Sequence, residues 1–134
     1  MKITSFNPLI VTKDAALVIK LFEEMGFERR HSLDANTGKV PLTNVRMKRM
    51  KDGSDTEAFY VDISEIPDGG LDRDLTLIRM NVDDFDEAYN WLIGKGFKNK
   101  QGDHVVETKS NKSAGMISPS GFMFDLCQHI KDHD

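Results

Sequence analysis

Cysteine and long apolar runs are scarce in this sequence. The chain has one cysteine, Cys127, so an intramolecular disulfide and a paired-cysteine zinc or redox site are excluded. The uncharged apolar stretches, such as Ala15–Ile19, are far too short to cross a bilayer, and the first residues lack the apolar core of a signal peptide. We therefore expect a cytoplasmic protein.

Basic residues are outnumbered by acidic ones, 18 to 22, which gives a formal net charge of −4. Nucleic-acid-binding proteins need a positive face that displaces counterions, so we expect no nucleic acid as a partner. Since the apolar stretches are too short to span a bilayer, we expect no membrane partner either. The one basic run, 46–51, alternates with Met47 and Met50. On a strand its charges would divide between two faces, which favours a solvated strand.

The sequence repeats itself at an offset of 70 residues, which aligns Asp14 with Asp84 and Gly26 with Gly96. Each aspartate and glycine bracket a stretch in which apolar residues recur at helical spacing. The aspartates stand where a helix N-cap is expected, and Glu87 adds the capping-box spacing to the second. The glycines stand where a left-handed residue ends a helix.

Strand-like runs before and after the two predicted helices give the order β-α-β-β-β twice. The first copy has strands at 3–11, 27–33, 45–50 and 58–63 with a helix at 13–25, and the second has strands at 75–82, 97–100, 113–118 and 122–129 with a helix at 84–95. We predict one α+β domain over 1–134, with a first module at about 1–66, a linker at about 66–73 and a second module at about 74–130.

This ordered set of elements resembles the vicinal-oxygen-chelate superfamily, which contains glyoxalases, bleomycin-resistance proteins and extradiol dioxygenases. The resemblance is carried by an apolar strand ending in Val82-Asp83-Asp84, an amphipathic helix, Gly96-Phe97, and the turn Pro119-Ser120-Gly121 before a strand that contains an acid. It implies two tandem βαβββ units whose curved mixed sheet surrounds a cup-shaped cavity. It also implies that the cavity binds a small molecule, often through a divalent metal, and that the protein is a homodimer.

The resemblance further implies metal ligands, which are a His or Gln on the first strand of each unit and a Glu on the last strand. The corresponding residues here are Asn7 and Leu77 on the first strands and Asp62 and Asp125 on the last strands. Leucine cannot bind a metal, asparagine offers only a neutral carbonyl, and aspartate is one methylene shorter than glutamate. We therefore expect no metal cofactor. If a divalent metal binds, Asp62, Asp125 and His31 are its candidate ligands.

Alternation along the strands selects residues that would line a ligand pocket in the cup. They are Asn7, Leu9, Met47, Tyr60, Asp62, Leu77, Arg79, Met123, Asp125 and Cys127. Core packing explains the apolar members equally well. Arg79 either pairs with Asp62 or Asp125, or binds a carboxylate or phosphate of a ligand through its fork of donors. The sequence assigns no catalytic residue.

Three functions follow from the resemblance and stay open. The leading hypothesis is a divergent protein that binds a small organic molecule without the metal, as bleomycin-resistance proteins suggest. The second is a metal-dependent lyase, isomerase or dioxygenase of the glyoxalase type. The third is a non-catalytic interaction module whose cup is filled by its own side chains.

Overall fold

The computed structural model describes residues 1–30, 44–66 and 70–130, and within them the chain forms two helices and nine strands. Their order is β1 Ile3–Thr12, α1 Ala15–Glu24, β2 Glu28–Arg29, β3 Asn44–Met50, β4 Ala58–Glu65, β5 Leu75–Val82, α2 Phe85–Gly94, β6 Lys98–Asn99, β7 Val106–Glu107, β8 Asn111–Ile117 and β9 Met123–His129. Two compact units are formed, a central unit of Pro8–Thr76 and a terminal unit of Met1–Asn7 with Leu77–Asp134. The predicted module boundaries stay a prediction.

The central unit consists of α1 packed on four strands in the order β2-β3-β4-β1. Strands β2, β3 and β4 pair antiparallel, whereas the second half of β1 pairs parallel to β4. The buried core between helix and strands consists of Ala15, Ile19, Met47, Val61 and Ile63. Burial of a side chain as large as Ile19 contributes roughly 2 kcal/mol, so this apolar contact holds α1 on the strands.

The terminal unit places α2 on strands in the order β1-β5-β9-β8-β6, where β1 contributes its first half and β7 also pairs with β8. Strands β5 and β9 are parallel, and β8 is antiparallel to β6, β7 and β9. The buried core consists of Met80, Val82, Phe85, Ala88, Leu92, Ala114, Met116 and Leu126. The backbone N–H of Asp83 donates to the Lys2 carbonyl at 3.0 Å, and the Lys2 N–H donates to the Asp83 carboxylate at 2.6 Å. These two bonds tie β1 to the end of β5.

The two units repeat one register between their first and last strands, which confirms the predicted internal repeat. Leu9 pairs with Asp62 in the central unit, and Arg79 pairs with Asp125 in the terminal unit. Arg79 follows Leu9 at the same offset that relates the two predicted helix caps. The equivalence of the two first strands therefore holds in the structure.

The predicted N-caps and the left-handed glycines after the helices are also confirmed. The carboxylates of Asp14 and Asp84 accept hydrogen bonds from the backbone N–H of Leu17 and Glu87, as N-caps do. The residues after the helices, Gly26 and Gly96, have φ of 96° and 95°, a conformation that L side chains rarely adopt.

A second hydrogen bond at each helix start, made by a side chain of the unit's last strand, was not predicted from the sequence. In the central unit Glu65, at the end of β4, accepts a hydrogen bond from the Ala15 N–H at 2.9 Å. In the terminal unit Gln128 of β9 accepts one from the Phe85 N–H at 2.7 Å. The first N–H groups of a helix have no partner within it, so in each unit the last strand satisfies one of them. This contact fixes the helix against its own strands.

The α+β class with strands of mixed direction is confirmed, whereas several element bounds differ from the prediction. Both helices are shorter than predicted because their cap residues lie outside the helical hydrogen bonding. In the described residues β2 and β6 have two residues each, and β7, which pairs with β8, was not predicted. A two-residue strand shows no alternation in sequence. The predicted positions 31–33 and 67–69 lie outside the described residues.

No helix within the described ranges combines the length and the apolar character that crossing a membrane requires.

Removal of the strand-to-helix contact is expected to destabilise the protein. We predict that Glu65→Ala and Gln128→Ala each lower the free energy of unfolding by about 1 kcal/mol, because each leaves a helix N–H without its partner. Urea denaturation followed by circular dichroism measures the change. Gln101→Ala is the control, since this glutamine side chain is exposed and is not the acceptor at either helix start, and it should change stability by less than about 0.5 kcal/mol. Equal effects of all three substitutions would contradict the prediction.

Candidate functional site

The strand face opposite the helix, here called the far face, carries most of the predicted pocket residues in each unit. Strand alternation and the pairing register place Leu9, Tyr60 and Asp62 on the far face of the central unit. They place Leu77, Arg79, Met123, Asp125 and Cys127 on the far face of the terminal unit. Met47 lies on the other side of its strand, fully buried in the core under α1.

Asp62 is held by an arginine from the neighbouring strand. Arg46 stands directly opposite it in the β3/β4 register and donates from Nε to Oδ1 at 2.8 Å and from Nη2 to Oδ2 at 2.9 Å. The Asp62 side chain is 2% exposed, and that of Arg46 is 28% exposed. A buried carboxylate loses the stabilisation of water, so this two-point ion pair offsets a desolvation cost of several kcal/mol.

Tyr60 lies next to this ion pair on the same face. The guanidinium carbons of Arg30 and Arg46 are each 5.9 Å from the centroid of its ring, within the range of a cation–π contact. Lys48 stands directly opposite Tyr60 in the β3/β4 register. Two guanidinium groups therefore lie against one aromatic ring, and Lys48 is the cross-strand neighbour of Tyr60.

Arg79 pairs with Asp125, one of the two acids that the sequence offered as its partner. Its Nε donates to Asp125 Oδ2 at 2.8 Å, and the two side chains are 17% and 19% exposed. The thiol of Cys127 donates to the same carboxylate oxygen at 3.4 Å. Cys127 is 4% exposed. The terminal unit thus aligns a thiol, a carboxylate and a guanidinium.

The remaining candidates lie at different depths. Asn7 is buried at 7% exposure, whereas Leu77 and Met123 are half-buried. Leu9 is almost fully buried. His31, the only histidine among the candidate metal ligands, lies outside the described residues.

The sequence prediction missed Arg46 as a site residue. The basic run that contains it was interpreted as a solvated strand, and for Arg49 and Lys51 this fits, since they pair with the exposed acids Asp52 and Glu57. The sequence pattern that could have indicated Arg46 is its spacing of two residues from Lys48, which puts both basic side chains on the same face of a strand. The Asp62 partner could not be named without the register of β3 against β4.

Neither a protein-family model nor a curated protein matches the sequence. Solved structures do match. A variant of the methylmalonyl-CoA epimerase of Streptomyces coelicolor, in complex with 2-nitronate-propionyl-CoA, aligns with a TM-score of 0.63 and 17% identity over 96% of both chains. The chain has the glyoxalase/bleomycin-resistance fold. A glyoxalase/bleomycin resistance protein/dioxygenase superfamily member from Vibrio splendidus 12B01 aligns with a TM-score of 0.50 and 17% identity over 95% of this chain and 99% of that one.

A third match has the same fold. The methylmalonyl-CoA epimerase from Mycobacterium tuberculosis aligns with a TM-score of 0.58 and 11% identity over 96% of this chain and 90% of that one. At these identities the likeness concerns the fold alone. The resemblance found in the sequence is therefore confirmed at the level of the glyoxalase/bleomycin-resistance fold.

The metal that the resemblance implies can be tested against the donors of this chain. Both oxygens of Asp62 accept hydrogen bonds from Arg46, and an oxygen of Asp125 accepts from Arg79. Leu77 has no donor atom. In the described parts of the chain, no three His, Cys, Asp or Glu side chains form a group that could hold a metal ion. These donors do not fit a transition-metal site.

The Arg46–Asp62 pair gives a testable energetic signature. We predict that Arg46→Gln lowers the free energy of unfolding by about 3 kcal/mol, because it removes the charge and the two hydrogen bonds that Arg46 gives the buried Asp62 carboxylate. The double variant Arg46→Gln/Asp62→Asn should recover a large part of this loss, since two neutral amides bury no charge.

Urea denaturation of the single and double variants gives the coupling energy. The exposed pair Arg29 and Glu23, 3.7 Å apart, is the control, and its coupling should be below about 1 kcal/mol. Simple additivity at Arg46 and Asp62 would show that the two side chains do not stabilise each other.

Proposed function

We propose that this chain is a divergent relative of the glyoxalase and bleomycin-resistance proteins that binds a small organic molecule carrying an acidic group, without the metal. The observation that carries the proposal is the two-point bond between Arg46 and Asp62. At a position where the resemblance implies a metal-binding acid, the carboxylate holds a cation that the chain itself supplies. A metal ion would have to displace this guanidinium.

We place the acidic group of the ligand at Arg79. This side chain is 17% exposed, and its guanidinium is oriented by Asp125. Its far-face neighbours Leu77 and Met123 are apolar and half-buried. A planar guanidinium in such surroundings suits a ligand that combines a carboxylate or phosphate with an apolar body, because charge-assisted hydrogen bonds strengthen where water is scarce.

Acyl-CoA thioesters are the first ligand class to test. Methylmalonyl-CoA epimerases share the fold, and two of their structures contain 2-nitronate-propionyl-CoA and methylmalonyl-CoA. Methylmalonyl-CoA carries a carboxylate on a short apolar acyl group, which is the combination that Arg79 and its neighbours would recognise. The thioester is proposed as a ligand, and no catalytic residue is assigned to a reaction on it.

The metal-free state is tested by elemental analysis of protein purified without chelators. The expected result is less than one tenth of an equivalent of any transition metal per chain, about the background of a chain without a site. A full equivalent of zinc, nickel, manganese or iron would overturn the proposal and favour the metal-dependent lyase, isomerase or dioxygenase.

Ligand binding is tested by thermal unfolding with methylmalonyl-CoA, methylmalonate and further acidic metabolites. A ligand at one hundred times its dissociation constant should stabilise the native state by about 2.7 kcal/mol, which raises the melting temperature. Arg79→Lys keeps the charge but loses the planar fork, so binding should weaken about tenfold. Arg29→Lys, at an exposed position, is the matched control and should bind unchanged. No stabilisation by any ligand would favour the interaction module instead.

A further inference from the structure

Tyr60 and two basic residues next to it, Arg30 and Lys48, are not used by the proposed function. The guanidinium carbons of Arg30 and Arg46 each lie 5.9 Å from the ring centroid of Tyr60, so they are separated by at most twice that distance. Lys48 is the direct cross-strand partner of Tyr60. Side chains in such a pair have Cβ atoms about 5 Å apart. We call Arg30, Lys48 and Tyr60 the Tyr60 cluster.

The cations of the Tyr60 cluster differ from Arg46 in their partners. Arg46 is held by Asp62 through two hydrogen bonds. Within the described residues, the Arg30 guanidinium, the Lys48 ammonium and the Tyr60 hydroxyl make no side-chain hydrogen bond or ion pair. None of these atoms is buried from solvent without a partner. Their donors are therefore exposed to water, and a ligand can take the place of that water.

The local charge is positive although the whole chain carries a net charge of −4. Among the described residues, Arg46 and Lys48 each have one acid as a direct cross-strand partner, Asp62 opposite Arg46 and Glu28 opposite Lys48. Like charges on neighbouring positions of one sheet repel one another, and an anion that binds among them relieves the repulsion. The cluster offers a fork of N–H donors, an ammonium and a phenol, which together match the several oxygens of a phosphate.

We propose that the Tyr60 cluster binds the phosphate or diphosphate group of a small phosphorylated molecule. Arg30 and Lys48 supply the charge-assisted hydrogen bonds, and the Tyr60 hydroxyl supplies a third donor. The ring of Tyr60 holds the Arg30 side chain in place through the cation–π contact. This site belongs to the central unit and does not depend on the ligand placed at Arg79.

The probes are inorganic pyrophosphate and adenosine 5′-diphosphate, titrated into ¹⁵N-labelled protein at constant ionic strength. Both should cause saturable shifts of the Arg30 Nε–H and of the Tyr60 backbone amide in the NMR spectrum. Signals of α1, on the other side of these strands, should move little. Linear shifts without saturation for both probes would overturn the proposal, and binding of pyrophosphate but not of the nucleotide would overturn a phosphorylated molecule as the ligand.

Variants test which side chains bind the anion. Arg30→Gln and Lys48→Gln should each weaken binding about tenfold, the loss expected for one charge-assisted hydrogen bond. Tyr60→Phe keeps the ring and removes the hydroxyl, so it should weaken binding less. Arg46 is left unchanged because it holds Asp62.

Lys20→Gln is the matched control, since Lys20 is exposed on α1 of the same unit and its loss changes the net charge equally. It should leave the dissociation constant unchanged. The spectrum of each variant without ligand confirms the fold. The proposal fails if Lys20→Gln weakens binding as much as Arg30→Gln, because the effect would then depend on total charge alone.

Discussion

A guanidinium held against a buried carboxylate is the interaction on which the far face of the central unit depends. Asp62 is 2% exposed, and a carboxylate at that depth costs several kcal/mol unless a cation and hydrogen bonds compensate it. Arg46 supplies both from the adjacent strand. A slip of one residue between β3 and β4 would move every side chain to the opposite face and bring charge into the core under α1. The ion pair therefore restricts the register, and the register positions Tyr60 beside Lys48.

The two units neutralise equivalent carboxylates from opposite sides. Asp62 has Arg46 on one neighbouring strand and Leu9 on the other, whereas Asp125 has Gly115 and Arg79 in the corresponding places. A Cβ on Gly115 would lie 3.3 Å from the terminal methyl group of Met123. The glycine thus leaves Met123 its space beside Asp125. Both units have a carboxylate at the same register position. Its arginine partner stands on the antiparallel neighbour β3 in the central unit and on the parallel neighbour β5 in the terminal unit.

Sequence reasoning recovered the features that local chemistry determines. Short sequence patterns mark the helix caps at Asp14 and Asp84 and the left-handed glycines after the helices. Each pattern occurs twice because the sequence repeats, which made it easier to recognise. Long-range contacts could not be recovered in the same way. The Glu65 and Gln128 bonds to the helix starts and the Arg46 bond to Asp62 join separate elements. Such pairs require the register of strands that the sequence pattern places only to within a few residues.

Repulsion of a polyanion by the whole chain and attraction of a small anion to one cluster are compatible, because the two charge effects act over different distances. A polyanion meets the field of the whole surface, and a net charge of −4 opposes its approach. A phosphate group that reaches Tyr60 contacts only its neighbours, since salt screens exposed charges beyond about 8 Å at physiological ionic strength. There, among the described residues, Arg30, Arg46 and Lys48 outnumber their two acidic cross-strand partners, Asp62 and Glu28. A protein with excess negative charge can therefore select small anions at a local cationic cluster.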